Sequence, residues 1–214
     1  VKNKKMINKI YKLINNKFSG FFKFIFLIRY LFLIFFVAIS LFLIIPQFFN
    51  YAQKEQIIKE YLNNNYSIEI KKIENIKYGF FPTPYLQIKN FKANIFSEKI
   101  NIEAKNLILY PELLSIYNYE NFRVKKIKVD DGNININFKD VKFLLKKILS
   151  LKKKISFKNF NTKIKQGENS LIDLEKINFI NYGYKKNTII GEIFNRKFKI
   201  NFENSLQNLK FEII

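Results

Sequence analysis

The sequence contains no cysteine, no histidine and no tryptophan. The first two absences exclude disulfides, thiol chemistry, cysteine zinc sites, imidazole bases and imidazole metal ligands. Glycine occurs 6 times and proline 4 times in 214 residues, and no Gly-rich phosphate-cradling loop is present. A nucleophile–base pair would have to be assembled from Ser, Thr, Lys or carboxylates. The aspartates are Asp130, Asp131, Asp140 and Asp173. The first two open "DDGN", Asp130–Asn133, whose residue types are those of a tight turn, and Asp140 is placed to cap a helix. The chain is therefore expected to be no enzyme, and to hold neither a metal nor a cofactor.

Acidic residues are missing altogether before Glu55, whereas Lys2, Lys4, Lys5, Lys9, Lys12, Lys17, Lys23 and Arg29 all precede it. The formal net charge is +21. Lys, Asn, Ile, Phe and Tyr are all abundant and share AT-rich codons, so part of that charge reflects codon bias. The basic, Phe-bearing run "LKKKISFKNF" at 151–160 has the composition of a single-strand nucleic-acid platform. Its Phe residues are already explained as core by strand alternation, and no nucleic-acid partner is expected.

Residues 24–45 read "FIFLIRYLFLIFFVAISLFLII", with Arg29 the one charge. As a helix this run is ~33 Å long, against the roughly 30 Å hydrocarbon core of a bilayer. Arg29 lies near one end, where its stem can snorkel to the headgroups. A buried helix in a soluble protein is seldom apolar on every face. A cleaved signal would have a shorter apolar region and small residues at the cut, where this chain has only Ala52, with Asn50 two before it. The basic excess places residues 1–23 in the cytoplasm as a tail, 24–45 across the membrane, and 46–214 on the exported side. In a bacterium with two membranes that side is the periplasm.

Beyond Pro46, "QKEQIIKEYLNNN" carries Ile57, Ile58, Tyr61 and Leu62 at helical spacing, which predicts a short amphipathic helix ended by Asn63 to Asn65. The period then becomes two. Strands are expected at 68–70, 76–80, 86–95, 100–109, 122–129, 134–138, 155–157, 160–164, 171–180, 188–194, 198–202 and 209–214. Turns are expected at 130–133, 166–169, 181–187 and 195–197. Two helical pieces interrupt, one starting at Pro111 and one at an N-capping Asp140, with Val141, Leu144, Leu145, Ile148 and Leu149 apolar. Apolar parity slips at Lys89-Asn90, Lys105-Asn106, Lys125-Lys126 and Glu175-Lys176. Each slip reads as a β-bulge that keeps one face aligned, or else as a turn between shorter strands. The fold class expected is mainly β: a transmembrane helix and a short amphipathic helix, then a long twisted antiparallel sheet or groove with one or two short helices.

Two of the four prolines stand in "IKYGFFPTPYLQIKNFKA". With the anchor, helix and strand ahead of it, this stretch resembles the N-terminus of the AsmA-like family. The motif is carried by Tyr78, Pro82, Thr83, Pro84, Leu86, Ile88, Asn90 and Phe91. A segment with Pro111, Leu113 and Leu114, and a strand ending in Asp131-Gly132, follow in the family's order. The likeness covers about Phe24 to Phe138; Asn75 departs from it, standing where the family has Gly in its first hairpin. Pro82 and Pro84 would hold a strand connection extended and offer no donors to a further strand. The resemblance implies an inner-membrane-anchored periplasmic protein related to bridge-like lipid-transfer proteins. It implies work in outer-membrane biogenesis, with phospholipid and other envelope proteins as partners. It also implies an exported domain that is incomplete at its C-terminus. Leu86, Ile88, Ile100, Ile102, Phe122, Val124, Ile134 and Ile136 are the residues expected to line an apolar lipid groove. The alternative reading is a single-span envelope scaffold or interaction module without lipid transport.

Overall fold

The computed structural model describes residues 6–8, 11, 12, 19–95, 100–150, 154–181, 186–203 and 209–213. The chain divides into two units, Val1–Ile45 and Pro46–Ile214. The first is dominated by helix α1, Ser19–Ile44, of 26 residues. It begins ahead of the expected apolar run because 19–23 continue the helix. Its best window has a mean hydropathy of 2.7 and none of it is buried by protein. At ~1.5 Å per residue it is long enough to cross a membrane. It is the single helix of that kind among the described residues.

A 3-10 turn, Ile45–Phe48, begins at the last residue of the first unit, and the second unit goes on with another, Ala52–Lys54, and helix α2, Glu55–Tyr66. Ile58 and Leu62 of α2 are fully buried. The asparagines do not end this helix. It runs on to Tyr66 and stops at Ser67, which takes a left-handed conformation at φ 54° while its N–H bonds back to Asn63.

Among the described residues ten strands form one sheet. They are β1 (Ile68–Lys72), β2 (Asn75–Gly79), β3 (Tyr85–Ile95), β4 (Ile100–Pro111), β5 (Val124–Asn137), β6 (Lys154–Gln166), β7 (Asn169–Asn181), β8 (Lys186–Ile193), β9 (Arg196–Glu203) and β10 (Leu209–Ile213). The order is β1-β3-β4-β5-β6-β7-β8-β9-β10, and β2 also pairs with β3. The sheet is mixed, not purely antiparallel: β5 and β6 run parallel. Helix α3, Phe138–Ser150, carries the chain between them, as a parallel pair requires. Its cap is Asn137, whose side-chain oxygen accepts the Lys139 N–H at 3.1 Å, and Asp140 lies inside the first turn. Pro111 ends β4, paired with Val124, and a 3-10 turn over Leu113–Ile116 replaces the expected helix. β1 and β2 form no hairpin. They lie end to end along β3, so Asn75 starts a strand. Residues 80–84 connect β2 to β3, with the Phe81–Pro82 peptide cis. The 166–169 turn forms around Gly167. The next turn, Phe194-Asn195, sits one residue earlier than expected, with φ 49° and 60°, a hairpin geometry of the primed kind. The expected 181–187 turn falls mostly outside the described residues.

Three of the four parity slips have a common origin. Asn90, Asp131, Asn159 and Lys176 all have positive φ, between 44° and 57°. Asn90 lies opposite Lys105, Lys105 opposite Asp131, and Asp131 opposite Asn159, while the pairs on either side keep one register. Each of β3 to β6 thus carries one extra residue at the same level. Between β6 and β7 the register shifts there instead. A true bulge stands at Lys125, where Tyr110 faces Lys126 but Pro111 faces Val124. "DDGN" is therefore no turn: it is the middle of β5, and 155–157 and 160–164 are one strand interrupted at the same seam. Asn and Asp tolerate the left-handed region because their short side chains bond locally. Here the Asn159 amide donates to Asp131 at 2.6 Å, the Asn90 amide to Glu74 at 2.7 Å and the Asn178 amide to the Lys176 carbonyl at 2.9 Å. Gly132 follows Asp131 because the Phe160 ring and the Glu103 carbonyl occupy the space a Cβ would need.

Two substitutions at the seam test this. Lys176→Val should be less stable than Lys176→Gly by about 1–2 kcal/mol, the cost of a side chain in the left-handed region. Gly132→Ala should cost about 1–3 kcal/mol by overpacking. Denaturation of the full chain in detergent reads both.

Candidate apolar ligand site

The buried side chains lie on one face of the sheet, and the seam divides what covers them. On β3, β4 and the start of β5 the layer is protein. Leu86, Ile88, Leu107 and Leu109 have no exposed area. The Tyr61 hydroxyl of α2 accepts the Val124 N–H at 2.9 Å, and its ring meets Phe122 edge-on at 5.2 Å. Tyr119 stacks on Phe122 at 5.4 Å, and Tyr51 stacks on Tyr78 at 6.3 Å. The Tyr51 hydroxyl donates to the Pro46 carbonyl at 2.8 Å, which ties the first residue of the unit into this cluster.

Elsewhere the face is not filled. A cavity of about 390 Å³ is lined beyond the seam on β3, β4 and β5 and on both sides of it on β6 and β7, with β1, β8, β9, the last residue of α2 and one side of α3. Of its lining side chains only Tyr66 and Thr162 carry a polar atom; the rest are Ile, Leu, Val and Phe. Natural cores hold few voids larger than a water molecule. The volume falls within the roughly 300–1,000 Å³ range of small-molecule sites. On β6 the lining runs from Ile155 to Ile164, about 30 Å at ~3.3 Å per residue.

The eight residues singled out in the sequence separate cleanly. Ile100, Ile102, Ile134 and Ile136 line the cavity. Leu86, Ile88, Phe122 and Val124 lie across the seam and are buried by protein, with Tyr61 of α2 against Phe122 and Val124. The motif residues Pro82 and Pro84 sit in the β2–β3 connection, away from the lining. Sequence reasoning missed the contributions of α3 (Val141, Leu144, Leu145) and of β6 to β9, of which Phe160, Ile177 and Phe198 are buried. Their alternation was visible, but which strands face one cavity is set by sheet order. Among the described residues no cluster of acidic side chains could hold a metal.

Burial is the main cause that raises the pKa values of four tyrosines, and the charge of nearby tyrosines adds to it. Tyr78 and Tyr119 are pushed up to about 12, and Tyr51 and Tyr66 are raised further. Unfolded tyrosines ionise near ~10. The folded state thus binds the proton more tightly, and its advantage is complete below pH ~10 and lost as pH climbs through ~12. Phenolate absorbance should show a late-ionising class among the 12 tyrosines, and stability should fall across that window. Comparison of the sequence with known protein-family models and with curated proteins finds no match, so the reading of function rests on the cavity and the apolar helix.

Proposed function

We propose that this is a single-span membrane protein whose exported domain holds the acyl chains of a phospholipid, in support of outer-membrane biogenesis. The observation that carries the reading is the 390 Å³ cavity with its almost wholly apolar lining. Each acyl methylene placed there gains about 0.8 kcal/mol, so a chain can be held without a polar anchor. Lining residues come from β1 at one side of the sheet and β9 near the other. Strands are ~4.8 Å apart, so sharing one cavity calls for a sheet curled into a twisted groove. The lining along β6 extends about twice the ~15 Å depth of one leaflet's hydrocarbon. The charge asymmetry around α1 supports an N-terminus in the cytoplasm and a β domain in the periplasm, anchored in the inner membrane. The AsmA-like motif at Tyr78 to Phe91 points the same way. No chemistry is assigned to the domain; binding and release of lipid are the activity.

The test is a photo-crosslinking residue placed at Ile102 of the full chain in cells, with Ile88 and Lys89 as comparisons. Ile102 lines the cavity, Ile88 is buried across the seam and Lys89 is exposed. Phospholipid should attach at Ile102 alone. Ile134→Trp, which displaces at least two methylenes, should lower that yield about tenfold. No lipid at Ile102 would overturn the reading and leave a single-span scaffold.

A further inference from the structure

We propose that one end of the sheet rests on the membrane surface, through the apolar tips of its loops. The sheet has two ends. At one, Tyr85 of β3 and Tyr110 of β4 sit with rings 6.4 Å apart, and the connections 80–84 and 112–123 emerge. At the other lie the starts of β4 and β7 and the Phe194-Asn195 turn.

Both ends expose large apolar side chains, the second through Phe138, Leu171 and Phe194, but the first alone also takes in the chain that follows α1. Phe81 is 81% exposed and Leu114 75%, with Phe80, Leu113 and Tyr117 also open. Residues 80–84, "FFPTP", carry no charge. Phe48 is 82% exposed, and its neighbour Phe49 packs edge-on against Tyr117 at 5.6 Å. Three separate segments therefore place large apolar side chains at one end of the unit.

The occupant follows from the covalent chain. Phe48 lies four residues beyond Ile44, where the apolar helix ends, within ~14 Å even fully extended. The Phe49–Tyr117 contact and the Tyr51 bond to Pro46 hold that emerging chain against this end of the sheet and not the other. A surface tethered so closely to a membrane span meets the bilayer interface before any other partner. Aromatic and aliphatic tips are what that interface favours. Charge agrees: Arg123, Lys125, Lys126 and Lys154 are exposed at this end, and basic side chains near a surface are drawn to anionic headgroups. The inference rests on α1 as a span and is independent of what fills the cavity.

The natural chain has no cysteine, so single-cysteine variants take one environment-sensitive fluorophore each. Phe81→Cys, Leu114→Cys and Phe194→Cys are labelled in the full chain, reconstituted in phosphatidylcholine–phosphatidylglycerol vesicles with or without bromines on the lipid tails. Phe35→Cys in α1 reports the span. Phe194 is the matched control, 82% exposed at the opposite end. Expected is loss of emission to brominated lipid at positions 35, 81 and 114 and none at 194. Loss at 35 without loss at 81 and 114 overturns the docking but keeps the span. Equal loss at 81, 114 and 194 overturns it too, since the contact would have no preferred end. Shielded probes at 81 and 114 that brominated lipid does not quench would assign the surface to a protein partner. No loss at 35 removes the span and the docking together.

Discussion

The seam of extra residues across β3 to β7 is the constraint on which the domain depends. Each of these strands carries two apolar runs of opposite parity. In a regular strand one of the two would be thrown to the solvent face. One inserted residue, at the same level in strand after strand, returns both runs to one face. The cost is a row of left-handed residues. It is kept small by residue type at Asn90, Asp131 and Asn159, and by hydrogen bonds among their side chains. Because the insertions are opposite one another, pairing beyond the seam continues undisturbed.

On β3, β4 and β5 the same seam separates two uses of one apolar face, and on β6 and β7 the unfilled part reaches across it. On β3, β4 and the start of β5, α2 and the tyrosine cluster finish the core, and hydrogen-bonded hydroxyls fix the layer in place. Past it on those strands, and on both sides of it on β6 and β7, α3 and the end of α2 border about 390 Å³ unfilled by protein. A packed half gives the domain its rigidity. The unfilled half gives it a place for apolar matter. On the proposed reading these are the holder and the held.

The packed half also holds the segment that opens the domain. The chain from Pro46 onward is caught at once by Tyr51, Phe49 and Tyr117, all outside the cavity.

Much of this was legible in the chain. The apolar run of α1 needs no partner to be recognised, since length and the absence of charge suffice. The helix over Ile58 and Leu62, most strand positions and four parity slips follow from periodicity, which is local. What the sequence could not disclose was opposition. "DDGN" has the composition of a turn, and only Lys105 on one side and Asn159 on the other make it the middle of a strand. Nothing local says that β5 and β6 run parallel, because α3 could equally have closed an antiparallel pair. For the same reason Leu86 and Ile102 look alike in the sequence, both apolar at alternating positions. Which is sealed by protein and which borders open space depends on what a distant helix covers, and only the tertiary structure decides that.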